Sequence, residues 1–293
     1  MNYTDPLDKK GRTSTVAGIY YPEDTEEIEK RIQSFNLQRG EGGTAAAIIA
    51  PYGAWDLSGA AASAAFRAAA GRDGITNIVL MGNIQDIDNE GIYLSESDYY
   101  DTPLGTIPVN RKIIRALSSC STLLEINDIP HLRDYSLEVL LPFIKYAFPN
   151  AGIVPILMGY CWGNARVYRN STNRTHNVLI PALTSALRII LEPIMDSTLL
   201  VVSSNLSHHE DERISQHQAE LCIQLLESGD YNGFIESIHG NRLSICAGPI
   251  LAALLGSGLL DDNTAKLVSP RPLGRNSGEE AEGITYFGGL SFG

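Results

Sequence analysis

The segment SSNLSHHEDE, residues 203–212, gathers ligand-type side chains most densely: His208 and His209 precede three acids, and His217 stands eight residues beyond His209. Imidazoles and carboxylates serve as metal ligands and as acid–base groups. Adjacent histidines, however, point in different directions on a helix or strand, and no HExxH or comparable spacing fixes a metal site. A solvated loop leading into a helix accounts for the same residues. Cys246 in SICAGPI stands just ahead of a helix that Pro249 opens. A thiol there feels the helix dipole and ionises more readily, which suits a nucleophile or a metal ligand; beside Ile245 it equally suits plain packing. Glu138 in DYSLEVLLPF lies inside an apolar helix, where an ionised carboxylate needs a partner. Capping a neighbouring element and acting in catalysis are both open to it. In AIIAPYGAWDLSG, Tyr52, Trp55 and Asp56 occupy a strand-to-helix turn, the place where α/β proteins keep ligand-binding groups. LMGNIQD, with Gln85, follows the same pattern as a weaker signal, and RNSGEEAEG follows no strand and is no phosphate loop.

The elements that must position these groups alternate along the chain. Apolar runs predict strands over 46–50, 77–81, 152–158, 197–203 and 283–290. Helical spacing predicts helices over 24–37, 59–70, 110–118, 138–147, 178–191, 214–228, 231–238 and 249–255. This rhythm implies an α/β fold: a single domain with a central, mostly parallel or mixed sheet covered by helices on both faces. A polar arm is expected over 1–16 and the domain over 17–293. Four segments, 51–56, 82–88, 203–211 and 244–249, place polar or reactive residues directly after a strand or before a helix, and the carboxyl ends of a doubly wound sheet line one crevice.

Composition sets the class. The 293 residues are 44% hydrophobic, enough for a substantial core, and carry a net charge of -12, which opposes nonspecific nucleic-acid binding. Cys120, Cys161, Cys222 and Cys246 form no CxxC pair, so reduced thiols are expected. No apolar run is read as reaching the roughly 18 residues that span a bilayer, and the polar start lacks a signal-peptide core, so a cytoplasmic protein is expected.

Taken together, the segments resemble the Memo family, whose members share a fold with class III extradiol dioxygenases of the protocatechuate type. In chain order, VAGIYYPEDTEEIEKRI is similar to the family's AGxFYPxDPxxL, IIAPYGAWDLSG to IxAPHAGYxYSG, and IVLMGNIQD to a strand ending GPSHH. YYDTPLGTIPVN carries the TPLG segment, DYSLEVLLPF resembles EHSLEVxLPF, VPILMG resembles IPxLxG, SSNLSHH resembles SSDLSHY, and SICAGPI resembles CGxxPI. The resemblance implies a metal-type site built from the histidines of APHAG and GPSHH, the cysteine of CGxxPI, and the Asp and His of SSDLSH. Here those positions read Tyr52, Gln85, Cys246, Asn205 and His208; the cysteine segment is one residue short, and the His of EHSLE is Tyr135 while Glu138 is kept.

These departures carry a chemical direction. A non-haem iron site needs about two imidazoles and a carboxylate with open positions, which phenol and carboxamide do not replace near neutral pH. The expectation is a family scaffold with a degenerate metal site and no cofactor. Tyr52, Trp55, Gln85, Tyr135 and Asn205 would then bind a small molecule or peptide, with a protein partner also open and neither nucleic acid nor membrane expected. Two alternatives use the same crevice. In one, His208 is a general base, Cys246 a nucleophile or ligand, and Glu138 an orienting group. In the other, His208, Cys246 and His209 retain iron or copper for dioxygenase-like oxidoreductase chemistry.

Overall fold

Short apolar runs set the sheet. In the computed structural model, which describes residues 10–84, 90–159, 175–209, 211–240, 242–269, 273–275 and 284–293, these runs become β2 (Ala47–Ala50), β3 (Asn77–Asn83), β8 (Gly152–Gly159) and β9 (Thr198–Ser203). Every residue of β2, β3 and β9 is buried, as strands covered on both faces require. Among the described residues they form the middle of an eight-stranded sheet. Its order runs from β11 (Ala265–Leu267) through β14 (Leu290–Phe292), β2, β9, β3 and β8 to β4 (Gly91–Leu94) and β7 (Leu124–Ile126). The β2–β9, β9–β3, β3–β8 and β4–β7 pairs are parallel, whereas β11–β14, β14–β2 and β8–β4 are antiparallel. The sheet is therefore mixed, and helices flank it.

Helix starts follow local chemistry. Asp24 accepts from the Glu27 amide at 2.9 Å, Asn110 from Ile113 at 3.2 Å, and Asp230 from Gly233 at 2.9 Å, each satisfying a first-turn amide. The expected helix over 138–147 divides into a tight turn, Glu138–Leu140, and a helix, Leu141–Ala147, with Pro142 in its first turn. The last strand divides too. The structure breaks 283–290 into β13 (Ile284–Tyr286), part of a small sheet with β10 (Ser207–His209) and β12 (Leu273–Arg275), and the main-sheet strand β14. The step between them passes Gly288 and Gly289 close to its neighbours. A Cβ at Gly289 would lie 2.7 Å from the Ala61 carbonyl, so only glycine lets the chain cross there.

Two expectations are corrected. Residues 10–16 belong to the domain: β1 (Gly11–Arg12) runs parallel to β5 (Tyr99–Tyr100), which pairs with β6 (Ile107–Pro108), and Arg12 is buried. A charged arginine enters the core because a carboxylate waits there, a pairing that the chain order does not reveal. Among the described residues, the 21-residue helical run Asn177–Ser197 contains a window long and apolar enough, by length and composition, to cross a membrane. Here it packs against the helices Arg111–Cys120 and Gly248–Gly256.

Candidate functional site

The parallel neighbours β2 and β9 end side by side, Ala50 opposite Ser203, and deliver Tyr52 and Asn205 to the same place. Asn205 ties three segments together. Its side-chain Oδ1 accepts from the Tyr52 amide at 3.2 Å, and its main-chain carbonyl accepts from the Cys246 amide, also at 3.2 Å. The adjoining Ser204 amide donates to Ala50, and Ser204 Oγ accepts from the Ala247 amide at 3.0 Å. The turn after β2 needs Gly53, whose φ of 148° few side chains tolerate.

Within this frame the Tyr52 phenol is hydrogen-bonded to the Cys246 sulfur. Burial raises the Tyr52 pKa well above that of a free phenol, and the neighbouring sulfur adds to the shift. Burial also raises the Cys246 thiol, with the phenol and the Asn205 segment opposing that rise in part. Both groups are therefore held neutral, with the phenol donating to sulfur. Tyr135 meets Tyr52 edge-on at 6.1 Å between centroids, and Tyr20 lies over Tyr135 at 4.6 Å. Tyr52 is buried, while Tyr20 and Tyr135 are half-buried, so the aromatic series leads from the thiol outward. Beneath it, Asp134 accepts from the Ser136 amide at 2.8 Å, and Ser203 Oγ donates to the Ser136 carbonyl at 2.7 Å, fixing the Tyr135 loop to the end of β9. Among the described residues, no three His, Cys, Asp or Glu side chains gather closely enough to hold a metal ion.

A family model described as Memo-like protein matches residues 12–289. The chain belongs to the Memo-like protein family. It is similar to a MEMO1 family protein of Metallosphaera sedula, with 25% identity over 258 residues covering 83% of this chain and 86% of the relative. It is likewise similar to a MEMO1 family protein of Methanobrevibacter smithii, at 25% over 294 residues, covering 95% and 99%. A Thermotoga sp. (strain RQ2) MEMO1 family protein matches at 22% over 293 residues, covering 96% and 99%. A solved structure of an uncharacterised Escherichia coli K12 protein aligns over 97% of this chain and 100% of its own at TM-score 0.43 and 9% identity, too distant to carry an argument.

The other residues expected at the Memo-like site fall differently. Trp55 is a core residue and does not line a crevice: it is 2% exposed, donates from Nε1 to the Val139 carbonyl at 3.0 Å, and packs on Phe143 at 4.4 Å. As the first residue of the helix Trp55–Arg67, it packs its ring among Tyr21, Phe35 and Phe143. Glu138 is fully buried and engaged within the fold. One oxygen accepts from Arg12 Nη1 at 2.8 Å and Thr15 Oγ1 at 2.7 Å; the other accepts from the amides of Thr15 and Val16 and the Tyr21 hydroxyl. Burial alone would raise its pKa, but the Arg12 charge and these donors hold it below the usual carboxylate value. Of its two open readings, capping is the one these contacts describe, because the carboxylate anchors the N-terminal segment that passes over it. His208 lies on β10 with Nδ1 2.8 Å from Thr285 Oγ1 and its residue exposed. His209 shares that strand, but its side chain, like Gln85 as a whole, lies outside the described residues. His217 is on the helix Glu212–Glu227. Sequence reasoning missed Tyr20, Ser136 and Arg12; the YYPED doublet was the one available signal for Tyr20.

Proposed function

We propose that this Memo-like protein is a metal-independent binding module in which Tyr52 takes the place of a metal-type histidine. The carrying observation is the Tyr52 hydrogen bond to Cys246. A metal ligand must present an ionised sulfur, and burial raises the Cys246 pKa against that form, with the phenol and the Asn205 segment offsetting only part of the rise. Asn205 adds a carboxamide where the resemblance implies a carboxylate, and its Oδ1 is already engaged with the Tyr52 amide. Phenol, carboxamide and protonated thiol are a poor donor set for iron or copper near neutral pH. The residues present therefore do not fit the family-type metal. The same protonated thiol is also a weak nucleophile.

What the site offers instead is recognition. Tyr20 and Tyr135, half-buried and packed beside Tyr52, bring aromatic surface suited to a small molecule or peptide with an apolar part. Protein purified without chelator should carry far less than stoichiometric metal, and anaerobic titration with ferrous iron or cuprous copper should show no tight one-to-one complex. A tight equimolar complex that disappears in Cys246→Ala would overturn the reading.

A further inference from the structure

The two ends of the main sheet are finished differently. At the β11 end, the Leu267 amide is taken by the Glu227 carboxylate at 2.8 Å, so a side chain closes the edge. At the β7 end, β4 is the partner strand among the described residues. Asn127 donates its amide to the Leu94 carbonyl, which turns the main-chain groups of alternate residues toward β4. Successive residues of a strand direct their amide and carbonyl to opposite sides, so Ile126 faces its own pair outward. Beside this edge lie three apolar side chains in the open: Ile126 is 37% exposed, Ile129 60% and Leu132 52%. Ile129 and Leu132, three residues apart on the helix Ile129–Arg133, share one face, while Pro130 and His131 turn inward.

Charge says what kind of chain fits. Between Arg111 and Arg133 the exposed charged residues are Lys112, Arg115 and Arg133 against a single acid, Glu125, in a protein of net charge -12. A second copy would bring like-charged faces together. We propose that the β7 edge is a strand-addition site for an extended, acidic segment of a partner protein that carries apolar side chains at alternate positions. The Ile126 main chain supplies the ladder, Ile129 and Leu132 supply the apolar contact, and Lys112 and Arg115, on the helix packed against β7, select acidic residues. This site is separate from the Tyr52–Cys246 cluster and does not rest on the reading of it.

The test is fluorescence anisotropy with a labelled peptide alternating Glu and Val, and a Lys and Val counterpart as control. The acidic peptide should bind saturably and more weakly as salt rises, with the basic peptide showing no saturation. Ile126→Pro removes the outward amide at an edge position that tolerates proline, and should weaken binding roughly tenfold or more, as should Ile129→Asp combined with Leu132→Asp. Circular dichroism confirms that each variant folds. Equal binding of the two peptides, no binding of the acidic peptide, or affinity unchanged in both variants would overturn the proposal. So would a wild-type dimer in sedimentation that Ile126→Pro disperses.

Discussion

The Tyr52 phenol donates to the Cys246 sulfur, and Asn205 holds both residues in place, through Oδ1 to one amide and through its carbonyl to the other. The phenol is one of the groups that ease ionisation of this otherwise buried thiol. Tyr52→Phe therefore raises the Cys246 pKa further. Alkylation by iodoacetamide at pH 8 should slow several-fold, and urea unfolding should show a loss of about 1 kcal/mol for the missing hydrogen bond. An unchanged alkylation rate would show that the phenol does not act on the sulfur.

Arg12 and Glu138 form a buried ion pair at 2.8 Å that fastens the N-terminal segment to the turn before the helix Leu141–Ala147. Removing one partner leaves the other charge buried without compensation. Glu138→Gln and Arg12→Met should each cost about 3–5 kcal/mol by chemical denaturation. The double variant should lose much less than the sum, because neither charge is then stranded. Additive losses would mean that the two residues act separately.

Acid should weaken the fold in a defined window. His131 is buried with Nε2 donating to the Tyr93 carbonyl and Nδ1 accepting from the Tyr100 hydroxyl, an arrangement that needs neutral imidazole. Burial depresses its pKa to about 4. A group whose folded pKa lies below its unfolded value gives stability that is present above the unfolded value and lost as pH falls through the folded one. Between pH 6.5 and about 4 the unfolded chain binds the extra proton, and about 3 kcal/mol is lost. Glu138 and Asp128 have depressed pKa values and act in the same direction at lower pH. For Asp128, burial opposes the shift, while the Glu96 amide and the Ser95, Ser97 and Lys10 donors outweigh it. Urea midpoints measured across this range should fall with pH, and His131→Asn should flatten the upper part of the decline.

Trp55 tests the boundary between core and site. Trp55→Phe loses the bond to the Val139 carbonyl and part of the contact with Phe143, so about 2 kcal/mol of stability should go. Cys246 alkylation should stay at the wild-type rate, since the indole packs among Tyr21, Phe35 and Phe143. A changed rate would return Trp55 to the site.

The sheet was legible because its central strands are apolar throughout, as in 77–81 and 197–203, and because polar residues follow at their carboxyl ends. The juxtaposition of Tyr52, Asn205 and Cys246 was legible through motif order. Trp55 and Glu138 misled in the same way: an aromatic or an acid in a motif looks available, but orientation and partners decide its use. Glu138 finds five donors, four of them contributed by Arg12, Thr15 and Val16, from a segment that reads as a polar arm. Local periodicity carries no information about such a distant pairing. The break between β13 and β14 was hidden for a similar reason, since what demands Gly289 is the Ala61 carbonyl on another element.

In the proposed reading, Tyr52, seated beside Cys246, stands where a metal would otherwise be held. The most direct measurement is a side-by-side anaerobic competition titration of the wild type and the Tyr52→His, Gln85→His double variant with ferrous iron and cuprous copper. We expect no tight equimolar complex for the wild type and a gain of at least tenfold in affinity for a folded double variant, lost again on adding Cys246→Ala. A wild type that binds one equivalent tightly, or a folded double variant no better than wild type, would contradict it.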